Sequence, residues 1–426
     1  MIETIRNAWK IADLRKKLLY TFMMLIIFRL GSCIPVPLLD PAQMQALFST
    51  ENSMFGLLDI MSGGAFQNAT IFAMGISPYI NASIIMQLLC VAIPALERLQ
   101  KEGEEGRKKI GQYMRVGTII LALIQGFGLY FLLKSYSAVS NPGVGSAVVI
   151  ISTLTAGTAF LMWLGEQITE KGVGNGISLI IFAGIVSRIP SMCLSLWAYL
   201  QSGSMGWLGV VALLVVALVV VAIVVAMNEA ERRISVQYAK RVVGRKMYGG
   251  QSTHIPIKVA AAGVIPIIFA MSIMSFPGTI ASFFGVQAGD KGFWGAFLWA
   301  FSSSSWVYAV LYFLLIIFFT YFYTSIQFNP IEMANNMKMN GGFVPGIRPG
   351  RPTSDYISKV LSRITLAGAI FLGLIAVLPI FMNLALHIQN FAIGGTSLLI
   401  VVGVALETVK NLESQMLMRH YKGFLE

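Results

Sequence analysis

The chain has 426 residues, is 56% hydrophobic and only 12% charged, and carries a net charge of +12; its mean hydropathy is +0.74. A soluble protein of this length needs far more charged surface, so a soluble globular fold is excluded. Apolar runs of about 20 residues, enough to cross roughly 30 Å of hydrocarbon, recur from end to end. The expected fold class is an all-α polytopic membrane protein.

Residues 1–17 place Ile2, Ile5, Trp9 and Ile11 among basic side chains. An interfacial amphipathic helix and a flexible basic tail both fit this segment. Ten spans follow, near 18–36, 71–93, 114–133, 147–165, 177–199, 206–227, 258–285, 304–326, 361–387 and 394–409. The first apolar run has no small-residue cleavage site and is long enough to stay as an anchor, so no cleavable signal peptide is expected.

Between spans 1 and 2 lies MFGLLDIMSGGAFQNATIF, Met54 to Phe72. Phe55, Leu57, Leu58, Ile60 and Met61 supply about two helical turns of apolar side chains before Ser62, Gly63 and Gly64 break them. That is too short to span and too apolar for water. A re-entrant half-helix and a surface-lying helix fit equally well.

Span 2 carries Pro78, Asn81, Ser83 and Gln87, and span 7 carries Pro266. Each proline removes a backbone donor and is expected to loosen its helix. The polar residues of span 2 suit a wall facing a wet cavity or a mobile helix seam; ordinary interhelical hydrogen bonding explains them equally.

Charge sets the orientation. Arg6, Lys10, Arg15, Lys16 and Lys17 precede span 1. Arg98, Lys101, Arg107, Lys108, Lys109 and Arg115 lie between spans 2 and 3. Further basic groups run from Arg232 to Lys258 between spans 6 and 7, and from Lys338 to Arg363 between spans 8 and 9. The opposite loops hold only Lys134, Arg188 and Lys291. By the positive-inside rule both termini are cytoplasmic.

The sequence also echoes itself. GNGISLIIFAGIV (Gly174–Val186) opens span 5, and GGTSLLIVVGVAL (Gly394–Leu406) opens span 10. Aligning Gly176 with Gly395 pairs Ser178 with Ser397, Ile181 with Ile400 and Gly184 with Gly403. A fainter match lays Gly75, Pro78 and Ile80 of span 2 over Gly263, Pro266 and Ile268 of span 7. Each match joins same-numbered helices of two five-helix halves. An odd number of spans per half inverts the second half, so an inverted-topology repeat is expected, with the working elements at the junction. Ile76 and Ile80 share one helix face, as do Ile177 and Ile181. With Ile268 and Ile400 they make a candidate apolar girdle, which opposes ions by dewetting.

Chemistry-bearing motifs are few. Arg29 lies in span 1, and Glu166 and Glu407 sit near cytoplasmic span ends. No mid-membrane carboxylate cluster of the kind ion-coupled carriers use is found. Neither a phosphate-binding loop nor a zinc-protease motif occurs, and His254, His387 and His420 are dispersed. Cys33, Cys90 and Cys193 form no disulfide or metal pattern and read as packing residues. The expectation is a passive conduit driven from outside, with no enzyme activity and no cofactor.

Two cytoplasmic loops exceed what connection requires, about 228–257 and 326–358. Alternation around Val243-Gly244-Arg245 predicts a protruding hairpin, and glycines and prolines frame Arg348 and Arg351 in the second loop. Basic protrusions of this kind read as docking surfaces for a large acidic or RNA-rich partner.

Several long stretches closely resemble the bacterial SecY family: Thr70–Leu89, Phe160–Val186, Gln251–Ala270, Gly341–Gly350 and Gly394–Glu407. The resemblance covers essentially the whole chain. It implies ten helices in two pseudo-symmetric halves around an hourglass pore: 18–205 with a plug at about 55–68, and 206–409, followed by a cytoplasmic tail at 410–426. It implies a pore ring of Ile76, Ile80, Ile177, Ile181, Ile268 and Ile400. The implied plug includes Phe55, Leu57, Leu58, Ile60, Met61, Gly63 and Gly64. A lateral gate between spans 2–3 and 7–8 would include Ser83, Gln87, Pro266 and Ser272.

The resemblance further implies a protein-conducting channel in the bacterial plasma membrane. It would pass unfolded secretory polypeptides and release membrane helices into lipid, after recognising signal sequences. SecE and SecG would be partner subunits. The SecA ATPase or the ribosome would dock at Arg245, Lys246, Arg348 and Arg351, with ribosomal RNA the sole nucleic acid met. A secondary transporter, a membrane-embedded enzyme and an insertase without a through-pore are the competing classes.

Overall fold

The computed structural model describes residues 2–40, 63–135, 137–201, 206–238, 241–243, 246–248, 252–260, 262–284, 293–301, 305–386 and 395–422. The apolar runs become helices because a backbone in hydrocarbon must satisfy its own hydrogen bonds. In chain order the helices are α1 (Ile2–Lys10), α2 (Ala12–Gly31), α3 (Ser77–Ala92), α4 (Pro94–Lys101), α5 (Glu104–Ser135), α6 (Val144–Lys171), α7 (Gly176–Val186) and α8 (Ile189–Gln201). After α9 (Trp207–Glu229) come four strands: β1 (Glu231–Tyr238), β2 (Arg241–Val243), β3 (Lys246–Tyr248) and β4 (Ser252–Lys258). The remainder is α10 (Ile265–Phe284), α11 (Phe293–Ala300), α12 (Trp306–Gln327), α13 (Pro330–Met339), β5 (Gly342–Phe343), α14 (Arg351–Leu386) and α15 (Gly395–Lys422).

Each of the ten expected spans coincides with a helix or a helix pair. Among the described residues, five helices are individually long and apolar enough to cross a membrane, or six if α3 and α4 count as one bent span. Four expectations change in detail. Span 5 is divided into α7 and α8 at Ser187 and Arg188, just before Pro190, which as the second residue of α8 has no N–H to donate into the preceding turn. Span 2 is helical only from Ser77; the chain before it is a series of turns. Neither Pro78 nor Pro266 loosens a helix interior: each is the second residue of its helix, where a missing N–H costs nothing. Cys33 and Cys193 are exposed in the chain, and only Cys90 of the three is buried, so the packing role holds for Cys90 alone.

The residues leading into α3 are held by the stretch after α2. Val36 N–H donates to Ala69 O at 2.8 Å, and Ile71 N–H donates to Ile34 O at 3.0 Å. Below them Val36, Phe66, Tyr130, Leu133, Val139, Ile150 and Leu154 form a compact satellite core between α5 and α6. The segment from Gly63 to Ile76 is therefore fixed although it is irregular. The expected apolar turns at Phe55, Leu57, Leu58, Ile60 and Met61 lie outside the described residues.

The long helices pack along the chain, α3 on α5, α5 on α6, α10 on α12 and α12 on α14. Two further seams join early helices to late ones: α10 lies against α3 and α5, and α15 lies against α7.

The two long basic loops do not protrude separately. β1 pairs antiparallel with β4, Ile234 opposite Ile255, and on its other edge with β5, Gln237 opposite Phe343. The sheet order is β4-β1-β5. Ile234, Val236 and Ile257 from the first loop bury against Met337, Val344, Ile357 and Leu361 from the second. The expected hairpin exists as a separate two-stranded sheet of β2 and β3, with Val243 opposite Lys246.

Candidate pore and gate

The two helix starts that the sequence echo pairs have the same geometry. Gly75 has φ +56° and Gly263 has φ +60°. Each precedes by two residues a helix whose second residue is proline. A left-handed residue reverses the chain just before the helix begins, and glycine adopts that region without a steric cost. The first turn then presents an isoleucine: Ile80 N–H donates to Ile76 O at 3.0 Å, and Ile268 N–H donates to Val264 O at 3.2 Å.

The other pair is built differently. Asn175 Oδ1 caps α7, accepting from Ile177 N at 3.1 Å and Ser178 N at 3.4 Å. A methyl on Gly176 would overlap Gly165 O, and one on Gly165 would overlap the Ile177 side chain, so α6 and α7 meet almost backbone to backbone. The repeat partners Ser178 and Ser397 are both buried. These starts place Ile181 on α7 and Ile400 on α15.

The large central apolar core, to which α2, α6, α9, α12 and α14 also contribute, contains Ile76, Ile80, Ile181, Ile268 and Ile400, with Ile177 packed at its edge. Helices α3, α7, α10 and α15 contribute them, so the candidate girdle residues are brought into one cluster from both parts of the chain. Burial of an isoleucine side chain contributes about 1.5–3 kcal/mol.

Gly63 and Gly64, both left-handed, lie in the turns before α3. Gly63 sits on the backbone of α7 at Gly184, while Gly403, the repeat partner of Gly184, sits under Val264. Asn68 Nδ2 donates to Gly64 O at 2.9 Å and fixes the turn.

On α3, Gln87 Nε2 donates to Ser83 Oγ at 3.2 Å, both half-buried. Pro266 and Ser272 are buried on α10. The Ser272 hydroxyl has no hydrogen-bond partner among the described residues, nor has that of Tyr312 on α12. Tyr308 and Tyr312 stack with ring centroids 5.7 Å apart. Sequence reasoning missed these tyrosines; two phenols four residues apart in the apolar run WVYAVLYFLLIIFF were the available signal.

Two of the ionisable residues noted in or near spans, Glu166 and Arg29, have side-chain partners. Arg115 Nε meets Glu166 Oε1 at 2.9 Å, and Arg29 Nη1 donates to Ser187 Oγ at 3.3 Å, where α7 gives way to α8. Arg348 and Arg351 are exposed on the sheet unit, and Arg348 O accepts from Thr353 Oγ1 at 2.8 Å. Lys246 lies in β3, and Arg245 lies outside the described residues.

The SecY family pattern matches residues 70–409. A protein translocase subunit SecY of Halalkalibacterium halodurans is 48% identical over 438 residues, with all of both chains covered. That of Bacillus subtilis is 47% identical over 436 residues, again covering both chains completely. Among solved structures, one of a protein-conducting channel superposes with a TM-score of 0.68 at 20% identity, covering 94% of this chain and 92% of the other. Sec61 in a canine ribosome–channel complex gives a TM-score of 0.64 at 19% identity, with the same coverage. Near-half identity over the full length, with the fold shared by distant channels, leaves one assignment: this chain is a membrane protein of the SecY family.

Proposed function

We propose that the chain is the channel subunit of a protein translocase, working as a ten-span, two-halved pore in the bacterial plasma membrane with both termini cytoplasmic. It moves unfolded polypeptides across and releases membrane helices sideways, and it catalyses no reaction. The halves, 18–205 and 206–409, are related by inverted topology; the matching left-handed glycines and proline-started helices at Gly75–Pro78 and Gly263–Pro266 support this.

The observation that carries the reading is the gathering of Ile76, Ile80, Ile181, Ile268 and Ile400 from four helices into one cluster. As a constriction it excludes ions without charge. Being apolar, it accepts many side chains and binds none strongly. The plug, about 55–68, seals the resting pore. The contact of α10 with α3 and α5 is the closed lateral gate. Ser83, Gln87, Pro266 and Ser272 line it, and a signal sequence parts it.

Driving force comes from outside the chain. The merged sheet unit, with Arg348 and Arg351 exposed, is the docking platform for the SecA ATPase or the ribosome. Arg245 and Lys246 extend it. SecE braces the two halves, with SecG beside them.

The test replaces Cys33, Cys90 and Cys193, introduces Ile181→Cys, and reconstitutes the protein with SecE and SecA in vesicles. A secretory chain stalled partway should form a disulfide with position 181 only when ATP and a signal sequence are supplied. Translocation without contact at any register of the stalled chain overturns the ring assignment.

A further inference from the structure

The gate requires early and late helices to separate at one seam, so something must keep them registered at the other. At that second seam the chain ends meet. Thr4 Oγ1 of α1 donates to Glu413 Oε1 of α15 at 3.0 Å, and Lys17 Nζ of α2 donates to Gln415 Oε1 at 3.2 Å. Between these polar contacts Ala8, Leu14, Val173 and Leu412 are almost wholly buried in a separate apolar cluster, edged by Ile11, Leu18 and Met416. Val173 belongs to the turn between α6 and α7. Its N–H donates to Thr21 Oγ1 of α2 at 3.1 Å, and a methyl on Gly174 would touch Thr408 Oγ1 at 3.4 Å.

Four pieces of chain therefore interlock: α1, α2, the 172–175 turn and the extension of α15 past its apolar part. α2 and the turn belong to the first half, α1 precedes it, and the clasp end of α15 directly continues the second half. None of these residues is in the girdle cluster or at the seam between α10 and α3. The apolar part of α15 carries Ile400, so the same helix bears a girdle residue and the clasp. Sequence alone left residues 1–17 open between an interfacial amphipathic helix and a tail; residues 2–10 form a helix whose Ala8 is buried with Leu412 of α15.

We propose that α1 and the end of α15 form an intramolecular clasp that is the fixed pivot of the two halves, holding them in register while the gate seam opens. This rests on the channel reading. The physical reason is that a packed apolar cluster with hydrogen bonds at its rim resists sliding.

The test uses the full chain, reconstituted with SecE and driven by SecA, with the native cysteines replaced. Thr4→Cys with Glu413→Cys is joined by a short bis-maleimide, and a parallel pair, Gln87→Cys with Ser275→Cys, is joined across the gate. The expected result is near-normal preprotein translocation with the clasp joined and none with the gate joined. Loss of translocation in both overturns the pivot. A second variant, Ala8→Asp, buries an unpaired carboxylate in the cluster. It should raise export of preproteins with defective signal sequences by about tenfold or more, the effect of a bias of about 1.4 kcal/mol. Unchanged dependence on the signal sequence, with the protein accumulating normally, also overturns the proposal. If the channel reading itself fails, the unjoined parent moves no preprotein, which separates the two failures.

Discussion

A Cβ atom built on Gly63 would lie 2.7 Å from the Cα of Gly184, so this end of the proposed plug rests directly on the backbone of α7. Gly63 is also left-handed, at φ +68°. Gly63→Ala meets both a backbone clash and a disfavoured φ, of order 1–3 kcal/mol together. The segment should lift from α7, and closed vesicles should leak ions about tenfold faster, as a bias of about 1.4 kcal/mol gives. Leakage equal to the parent would show that this contact does not hold the seal.

The girdle reading separates two kinds of substitution. Ile181→Val should cost about 0.5–1.5 kcal/mol of stability with little change in leakage. Replacing Ile80, Ile181 and Ile400 with glycine together should raise both ion conductance and export of signal-defective preproteins. Single-channel recording and an export assay report the two effects. Unchanged conductance in the triple variant contradicts an apolar constriction at these residues.

Tyr312 on α12 and Ser272 on α10 bury hydroxyls that have no hydrogen-bond partner among the described residues. An unsatisfied buried polar group costs about 1–3 kcal/mol. Tyr312→Phe should therefore stabilise the closed molecule by about 1 kcal/mol and slow translocation. Thermal unfolding in detergent checks the first effect. A lowered midpoint would mean the hydroxyl is satisfied when the full complex is assembled.

Arg348 and Arg351 are exposed on a unit with its own core, so charge and fold can be tested apart. Arg348→Glu with Arg351→Glu should weaken ribosome or motor binding by about tenfold at low ionic strength, and less as salt screens the contact. Val236→Asp should abolish binding by unfolding the unit, because Val236 is wholly buried. Pore leakage should stay at the parent level in the double arginine variant. A leak there would tie the platform to the seal.

On α4, Glu97 Oε1 accepts from Lys101 Nζ at 2.6 Å. That hydrogen bond, followed by the attraction of the ammonium, holds the Glu97 carboxyl below its ordinary value. A depressed folded pKa means the contribution is present above the ordinary carboxylate pKa and is lost as pH falls through the folded value. Both side chains are well exposed, so the effect on global stability is small. Lys101→Met should raise the Glu97 midpoint in an NMR titration; an unmoved midpoint removes the pair as its cause.

The sequence by itself determined the class of molecule, the approximate place of each helix and the residues worth watching. Apolar runs of spanning length have one solution in lipid, and the paired glycines, prolines and isoleucines of Gly75–Ile80 and Gly263–Ile268 recur because α3 and α10 start in the same way. The resemblance supplied the roles. Tertiary structure decided what separate segments do together. Pro78 and Pro266 start helices instead of loosening them, which depends on a left-handed glycine two residues before each helix and which the spacing alone did not reveal. The loops at 228–257 and 326–358 share one core, because β5 pairs with β1 across intervening helices. Residues 2–10 pack on α15, more than 400 residues away in sequence. Local periodicity records which face of a helix is apolar; it carries no information about which distant face will cover it, and the clasp, the merged platform and the unpartnered hydroxyls all depend on that choice.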